Sequence, residues 1–195
     1  MKKILTICFF FVFGTSVLAH CTKNINIDIR AECKKSKSVL NWVSKNKLSK
    51  GGELIKFKSF SGFDQRTVLT DGHKKNPIEI TGYLQLPEGS SKVPIVIWTH
   101  SSGGPGEYVW NDFVYHGTRN LIDAGIGVMY VDNFCHRGAK DTWRDQSKVP
   151  LINGAIDAIM AYKLLQSHPR SNGKFGTTGH SRGGNNRLYL ADVNF

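Results

Sequence analysis

The chain has 195 residues, of which 26 are Lys or Arg and 15 are Asp or Glu, giving a formal net charge of +11. Apolar residues make up 40% and charged residues 21%, a composition that excludes collagen-like, low-complexity and wholly disordered proteins. The length suits one domain that buries a sizeable core.

The N-terminus has the pattern of a secretory signal peptide. Two lysines precede an apolar run at residues 4–13, and small residues up to Ala19 form a cleavage site. We therefore predict a periplasmic or secreted protein, cleaved after Ala19, with no stable membrane span because the apolar run is short. The less favoured alternative is a lipoprotein acylated at Cys21, since His20 stands where a small residue is expected.

Three cysteines follow the predicted cleavage site: Cys21, Cys33 and Cys135. An oxidising compartment permits a disulfide between Cys21 and Cys33. Cys135 would then be a free, packed thiol. The cysteines and histidines do not have the spacing of a zinc site, so we predict no metal.

The positive charge is concentrated near the N-terminus. Residues 34–58 contain eight lysines and one acid, Glu53. A basic patch attracts anionic partners in general, but arginine and aromatic residues that stack on bases are nearly absent here. We predict a solvated lysine-rich surface and no nucleic-acid partner.

The first half of the chain predicts one helix and three strands. Residues 25–48 carry apolar residues and lysines at near-helical spacing, which predicts a helix packed outside the main domain. Alternating patterns then predict strands at 53–60, 67–70 and 77–86. We place an N-terminal helical extension at 20–52 and a single domain at 53–195.

The second half alternates between buried strands and amphipathic helices. Continuous apolar runs predict strands that are covered on both faces of a parallel sheet. The alternation predicts an α/β fold, in which the earlier strands form an antiparallel edge. The strands are predicted at 93–99, 126–131 and 174–178, and the helices at 111–124, 151–165 and 182–190.

Residues 179–183 read Gly-His-Ser-Arg-Gly, a match to G-x-S-x-G. The motif lies between a predicted strand and a predicted helix, as a nucleophile elbow requires. Gly179 and Gly183 would allow the tight turn, and the turn would expose the Ser181 hydroxyl. The N–H group of Arg182, at the start of the next helix, would face a developing oxyanion.

A glycine-rich loop, His100–Gly106, follows the strand at 93–99. This is the position of the oxyanion loop in enzymes that have such an elbow. The N–H group of Ser102 is the best candidate for the second oxyanion donor, although a serine follows the histidine where a glycine is usual.

Together these segments resemble the α/β-hydrolases and, within them, the dienelactone hydrolase-like branch. The resemblance covers roughly residues 53–190. It rests on five segments: TGYLQLP (81–87), VPIVIWTHSSGGP (93–105), DNFCHRG (132–138), the helix at 151–165 and FGTTGHSRGGN (175–185).

The resemblance implies an α/β-hydrolase fold and hydrolysis of a small ester or lactone through an acyl-serine, without a cofactor. Ser181 would be the nucleophile. Asp132 and Arg137 match a loop near the site, where we expect them to shape the loop. Two alternatives remain: a peptidase of the same fold, and a non-catalytic secreted protein that binds acidic partners through its lysines.

The triad partners of a serine nucleophile follow it along the chain in this fold, an acid first and then a histidine. Only 14 residues follow Ser181, with one acid, Asp192, and no histidine. We therefore expect a truncated product that is inactive by itself. A substitute base from His100, His136 or His180 is the less favoured alternative.

Overall fold

The computed structural model describes residues 28–40, 43 and 52–186. The predicted signal peptide, Cys21 and the end of the predicted last helix lie outside these residues. The described part is built on a five-stranded sheet with the strand order β1-β2-β4-β3-β5. Its strands are β1 (Glu53–Phe60), β2 (Pro77–Gln85), β3 (Val93–Thr99), β4 (Gly127–Asp132) and β5 (Ser171–Gly179).

The sheet combines an antiparallel edge with a parallel part. β1 pairs with β2, and β2 with β4, in antiparallel register. β3 lies between β4 and β5 and is parallel to both. This arrangement confirms the predicted α/β class and its antiparallel N-terminal edge. Because parallel strands end at the same side of a sheet, the loops after β3, β4 and β5 meet there.

Helices cover both faces of the sheet. The labelled helices are α1 (Ile29–Ser36), α2 (Gln65–Leu69), α3 (Glu107–Trp110), α4 (Asp112–Asp123) and α5 (Ile152–Leu165). Ile97 and Met129 lie fully buried in a cluster with α5 residues such as Ala161. Trp98 and Tyr130, one position further along the same strands, are buried in a second cluster with Val114 of α4. This alternation follows from the two-residue period of a strand.

The predicted strand at 67–70 is wrong, because this segment lies in helix α2 and its C-terminal cap. Asp64 caps the helix, since its carboxylate accepts hydrogen bonds from the Thr67 N–H group at 2.8 Å and from the Thr67 hydroxyl at 2.7 Å. A capping aspartate contributes about 1 kcal/mol to a helix, and this local interaction outweighs the β-propensity of Thr67 and Val68.

The predicted continuous helix at 25–48 is interrupted. Helix α1 ends at Ser36, and Lys37 has a left-handed backbone with φ 56°. After the break, Val39, Leu40 and Val43 are fully buried in the core cluster that contains Tyr83. The segment after the break therefore packs into the main core, while the division of the chain at residue 52 stays a prediction.

The predicted disulfide between Cys21 and Cys33 is wrong, and so is the prediction that Cys135 is a free thiol. Cys33 of α1 is bonded to Cys135, with a Cα–Cα distance of 5.0 Å. Cys135 lies in a short 3₁₀ helix, Cys135–Arg137, just after β4. The bridge thus ties the N-terminal segment to a loop at the carboxyl end of the sheet.

Among the described residues, no helix has both the length and the apolar character needed to cross a bilayer. These residues also contain no group of three or more His, Cys, Asp or Glu side chains that could hold a metal ion.

Candidate active site

Ser181 lies in a sharp turn between a strand and a helix. β5 ends at Gly179, and residues 182–186 are helical. Ser181 has φ 51° and is exposed to solvent. A left-handed backbone is unfavourable for a residue with a Cβ atom, and such strain is typical of functional turns. The chain here has the strand–turn–helix arrangement that a nucleophile elbow requires.

The two glycines that flank the turn have no room for a side chain. A Cβ atom on Gly179 would lie 2.6 Å from the carbonyl oxygen of Thr99. A Cβ atom on Gly183 would overlap that same carbonyl group and would lie 2.8 Å from the His100 carbonyl oxygen. The elbow is therefore pressed against the end of β3, which explains why both positions are glycine.

Arg182 begins the helix after Ser181 and is 7% exposed. The first N–H groups of a helix have no partner within it, and the Arg182 N–H group is one of these. Its guanidinium donates hydrogen bonds to Gln146 Oε1 at 2.7 Å and to the Val149 carbonyl. The side chain is thus used to hold the loop at residues 146–149.

The glycine-rich loop after β3 is buried throughout residues 100–106. Its organising group is Glu107, a buried carboxylate at the start of α3. This carboxylate accepts hydrogen bonds from the Ser101 N–H group at 2.9 Å and from the Ser101 hydroxyl. The N–H group of Gly103 donates to the Ser101 hydroxyl at 2.9 Å. These contacts fix the loop that carries the second predicted oxyanion donor.

Ser102 is 9% exposed and lies between Ser101 and Gly103 in this loop. Its carbonyl accepts a hydrogen bond from the Thr142 N–H group at 2.8 Å. Its hydroxyl accepts one from Gln146 Nε2 at 2.9 Å. The loop is therefore held from outside by residues 142–146, which also contact Arg182.

His100 is fully engaged and electrically neutral. Its Nδ1 lies 2.8 Å from the Ser101 carbonyl oxygen, to which it donates, and its Nε2 accepts the Asn133 N–H group at 3.1 Å. Burial lowers the pKa of His100 to about 3. A base for Ser181 needs a free nitrogen with a pKa near neutrality. His100 instead braces the loop against the segment after β4.

The other two candidate bases, His136 and His180, also make contacts that do not involve Ser181. His136 is half-buried, and its Nε2 lies 2.8 Å from the Thr81 hydroxyl on β2. Burial lowers the pKa of His136. The exposed ring of His180 packs near Phe113 of α4, with 5.8 Å between the ring centroids. None of the three is hydrogen-bonded to Ser181.

Asp132 lies at the end of β4 and is fully buried. Its carboxylate accepts the N–H groups of Phe134 at 3.0 Å and Cys135 at 2.9 Å. Burial raises the pKa of Asp132 to about 6, although these two N–H groups oppose the shift. The contacts shape the turn after β4.

Arg137 pairs with Asp157 of α5 rather than with Asp132. The two side chains form a bidentate ion pair at 2.7 and 2.9 Å, and both are buried. Asn133 Nδ2 and the Ser59 hydroxyl also donate to Asp157, at 2.7 and 2.5 Å. This network joins β1, α5 and the loop after β4. Holding these elements together is a role that accounts for the contacts of Arg137.

The structure thus places the predicted nucleophile and both predicted oxyanion donors at the same end of the sheet, where the elbow packs against the loop after β3. Sequence reasoning missed Glu107, Gln146 and Asp157, which order the surrounding loops. Each of these residues bonds to a partner that is distant in sequence or lies on the other side of a turn. None of them belongs to a local motif that would indicate that partner.

Comparisons with known proteins support the fold. No family model matches the chain, and no curated protein matches it. Among solved structures, a complex of DcsB with its substrate analogue matches with a TM-score of 0.50 and 15% identity, covering 73% of this chain and 42% of that one. The chain also resembles a cold-adapted esterase from an Arctic intertidal metagenomic library, with a TM-score of 0.49 and 14% identity. The match covers 75% of this chain and 58% of the esterase.

A dienelactone hydrolase-like promiscuous phosphotriesterase, P91, from metagenomic libraries matches with a TM-score of 0.42 and 19% identity, covering 71% of this chain and 54% of that one. The matched regions are thus only about half the length of these proteins. At such identities the likeness bears on the fold alone. Taken with the strand order, the likeness to the DcsB structure at a TM-score of 0.50 supports the α/β-hydrolase fold for the described part of the chain.

Proposed function

We propose that the chain carries the nucleophilic half of a serine hydrolase that acts on a small ester or lactone. The observation that supports this most strongly is the backbone of Ser181, whose φ of 51° presents an exposed hydroxyl at a strand-to-helix turn. Ser181 would attack the substrate carbonyl, and the N–H groups of Ser102 and Arg182 would bind the resulting oxyanion.

The acid–base partner of Ser181 would come from outside the described residues. Within them, His100 is neutral and doubly hydrogen-bonded, His136 is bonded to Thr81, and His180 packs near Phe113. When a serine lacks its base, the remaining rate acceleration comes from the oxyanion donors and from substrate binding. It amounts to roughly 10³–10⁴-fold over the reaction in water. We therefore expect slow chemistry at Ser181 in this chain.

The substrate class rests on the sequence resemblance to the dienelactone hydrolase-like branch. Acyl transfer from an ester or lactone needs a nucleophile and an oxyanion site but no redox cofactor. A short acyl ester is thus a suitable first substrate for testing. The proposed location, periplasmic or secreted, rests on the predicted signal peptide alone.

The test compares hydrolysis of a short-chain nitrophenyl ester and a five-membered lactone by the full chain and by Ser181→Ala. We expect slow turnover that Ser181→Ala abolishes, and that His180→Gln leaves unchanged. The control variant Ser167→Ala removes an exposed serine hydroxyl that bonds only to the Leu164 carbonyl, and should behave as the parent. Turnover that survives Ser181→Ala would overturn the proposal.

A further inference from the structure

Gln146 makes side-chain hydrogen bonds to both residues that would supply the oxyanion donors. Gln146 Oε1 accepts a hydrogen bond from Arg182 Nη1 at 2.7 Å. Its Nε2 donates to the Ser102 hydroxyl at 2.9 Å. One amide group thus links the residue after the elbow to the loop after β3, although the two lie 80 positions apart in sequence.

The Arg182 end of this link is held firmly. The guanidinium also donates to the Val149 carbonyl and lies over the Phe134 ring, 5.4 Å from its centroid. Because the side chain is buried, each lost acceptor leaves part of a charge without a partner, which is costly. Among the described residues this group has three acceptors: the Gln146 side chain, the Gln146 carbonyl at 3.4 Å and the Val149 carbonyl.

The Ser102 end is held by the same short segment of chain. The Thr142 N–H group bonds to the Ser102 carbonyl at 2.8 Å, and the Thr142 hydroxyl bonds to Gln146 Oε1 at 3.1 Å. Gln146 itself opens a 3₁₀ turn that Asp145 caps. The backbone of Ser102 is therefore connected to Arg182 through Thr142 and Gln146.

An oxyanion site works only if both N–H groups point at the same atom from about 3 Å. Here the two donors belong to different elements, so their separation depends on contacts between those elements. We propose that Gln146 is a positioning residue that fixes the Ser102 and Arg182 donors relative to each other. This inference rests on the proposed hydrolase function, which it deepens.

Two substitutions separate the hydrogen-bonding role of Gln146 from its bulk. Gln146→Ala removes both contacts. Gln146→Glu keeps an acceptor for Arg182 and loses the amide donor, but its carboxylate accepts from the Ser102 hydroxyl, so the second link is kept with its direction reversed. The matched control is Gln166→Ala at the C-terminal cap of α5, which removes a glutamine whose amide donates to the Tyr162 hydroxyl at 2.9 Å.

Amide hydrogen exchange, measured residue by residue, reports on the loop without requiring catalysis. We expect Gln146→Ala to speed exchange about tenfold at Gly103 and at Thr142, whose N–H groups bond to the Ser101 hydroxyl and to the Ser102 carbonyl. Gln146→Glu and Gln166→Ala should stay within about threefold of the parent. Exchange in β3 should not change, which shows that the fold is intact.

The second readout is the rate at which a fluorophosphonate modifies Ser181. We expect Gln146→Ala to slow this rate about tenfold and Gln146→Glu to restore most of it. Unchanged exchange at Gly103 and Thr142, failure of the glutamate variant to restore the rate, or faster exchange with an unchanged rate would each overturn the positioning role. Absence of any Ser181 adduct in the parent would instead defeat the proposed function, while exchange would still decide whether the bridge exists.

Discussion

Gly183 of the elbow lies directly against Thr99, the last residue of β3. The Thr99 hydroxyl donates to the Gly183 carbonyl at 3.1 Å, and a Cβ atom on Gly183 would overlap the Thr99 carbonyl group. This contact brings the two halves of the candidate site together, because the elbow follows β5 and the glycine-rich loop follows β3. The close approach is possible only for a residue without a side chain.

Substituting Gly183 should therefore damage the fold as well as the site. We expect Gly183→Ala to lower the free energy of unfolding by about 3 kcal/mol or more, because backbone on both sides of the new methyl group must move. The matched control is Gly176→Ala in β5, where the methyl group would meet Val96 at an ordinary 3.5 Å. If urea unfolding showed the same decrease in the free energy of unfolding for both variants, the close contact at Gly183 would not be the cause.

The strained backbone of Ser181 predicts an unusual order of stabilities. Both Ser181→Gly and Ser181→Ala remove the hydroxyl, but only glycine adopts the left-handed conformation without steric cost. We expect the free energy of unfolding of Ser181→Gly to exceed that of Ser181→Ala by about 1 kcal/mol.

The opposite order should hold a few residues later. At the exposed helical position Asn185, glycine should be less stable than alanine by about 1 kcal/mol. Thermal or urea unfolding of the four variants measures both differences. If alanine were the more stable residue at position 181 as well, Ser181 would not be strained.

The disulfide between Cys33 and Cys135 closes a long loop, with a sequence separation of 102. Cross-links of this kind stabilise a protein by about 2–4 kcal/mol, largely through the unfolded state. We expect reduction, or the double variant with serine at both positions, to lower the free energy of unfolding by that amount. Peptide mapping of the oxidised protein should find Cys33 linked to Cys135, and a peptide that links Cys21 to Cys33 would contradict the structure.

The buried carboxyl group of Asp132 predicts a specific pH dependence. Its pKa is raised to about 6 in the folded protein, above the value of about 4 in an unfolded chain. The folded state therefore binds the proton more tightly, so the contribution of Asp132 to stability is present at about pH 4 and is lost as the pH rises through 6.

Asp132→Asn removes this titration and keeps an oxygen that accepts the Phe134 and Cys135 N–H groups. We expect the variant to be more stable than the parent at pH 7 by on the order of 1–3 kcal/mol, an advantage that shrinks as the pH falls to 4. His100 titrates in both proteins, so its effect on stability cancels in the difference between the variant and the parent. A difference that grows on acidification would contradict the assignment.

The sequence predicted the parts of this structure that depend on local patterns. All five strands of the sheet and the helices α4 and α5 were predicted, from alternating patterns, continuous apolar runs and helical spacing. The tight turn at Ser181 lies where the G-x-S-x-G motif predicts one, while the role of Ser181 as nucleophile stays a prediction.

What could not be predicted depends on contacts between distant segments. The partner of Cys33 lies far along the chain, and neither cysteine has a neighbouring motif that indicates it. The same is true of Gln146, which bridges Ser102 and Arg182, and of Asp157, which pairs with Arg137. The strand predicted at Thr67 failed for a different reason, since the cap at Asp64 outweighed the propensity of the residues that follow.

The most direct test of the account is to identify the residue that a fluorophosphonate probe modifies in the folded chain. We predict a single adduct at Ser181, formed more slowly than in serine hydrolases with a complete triad, and absent from Ser181→Ala. An adduct on a different residue, no adduct after prolonged exposure, or modification as fast as in a complete triad enzyme would contradict it.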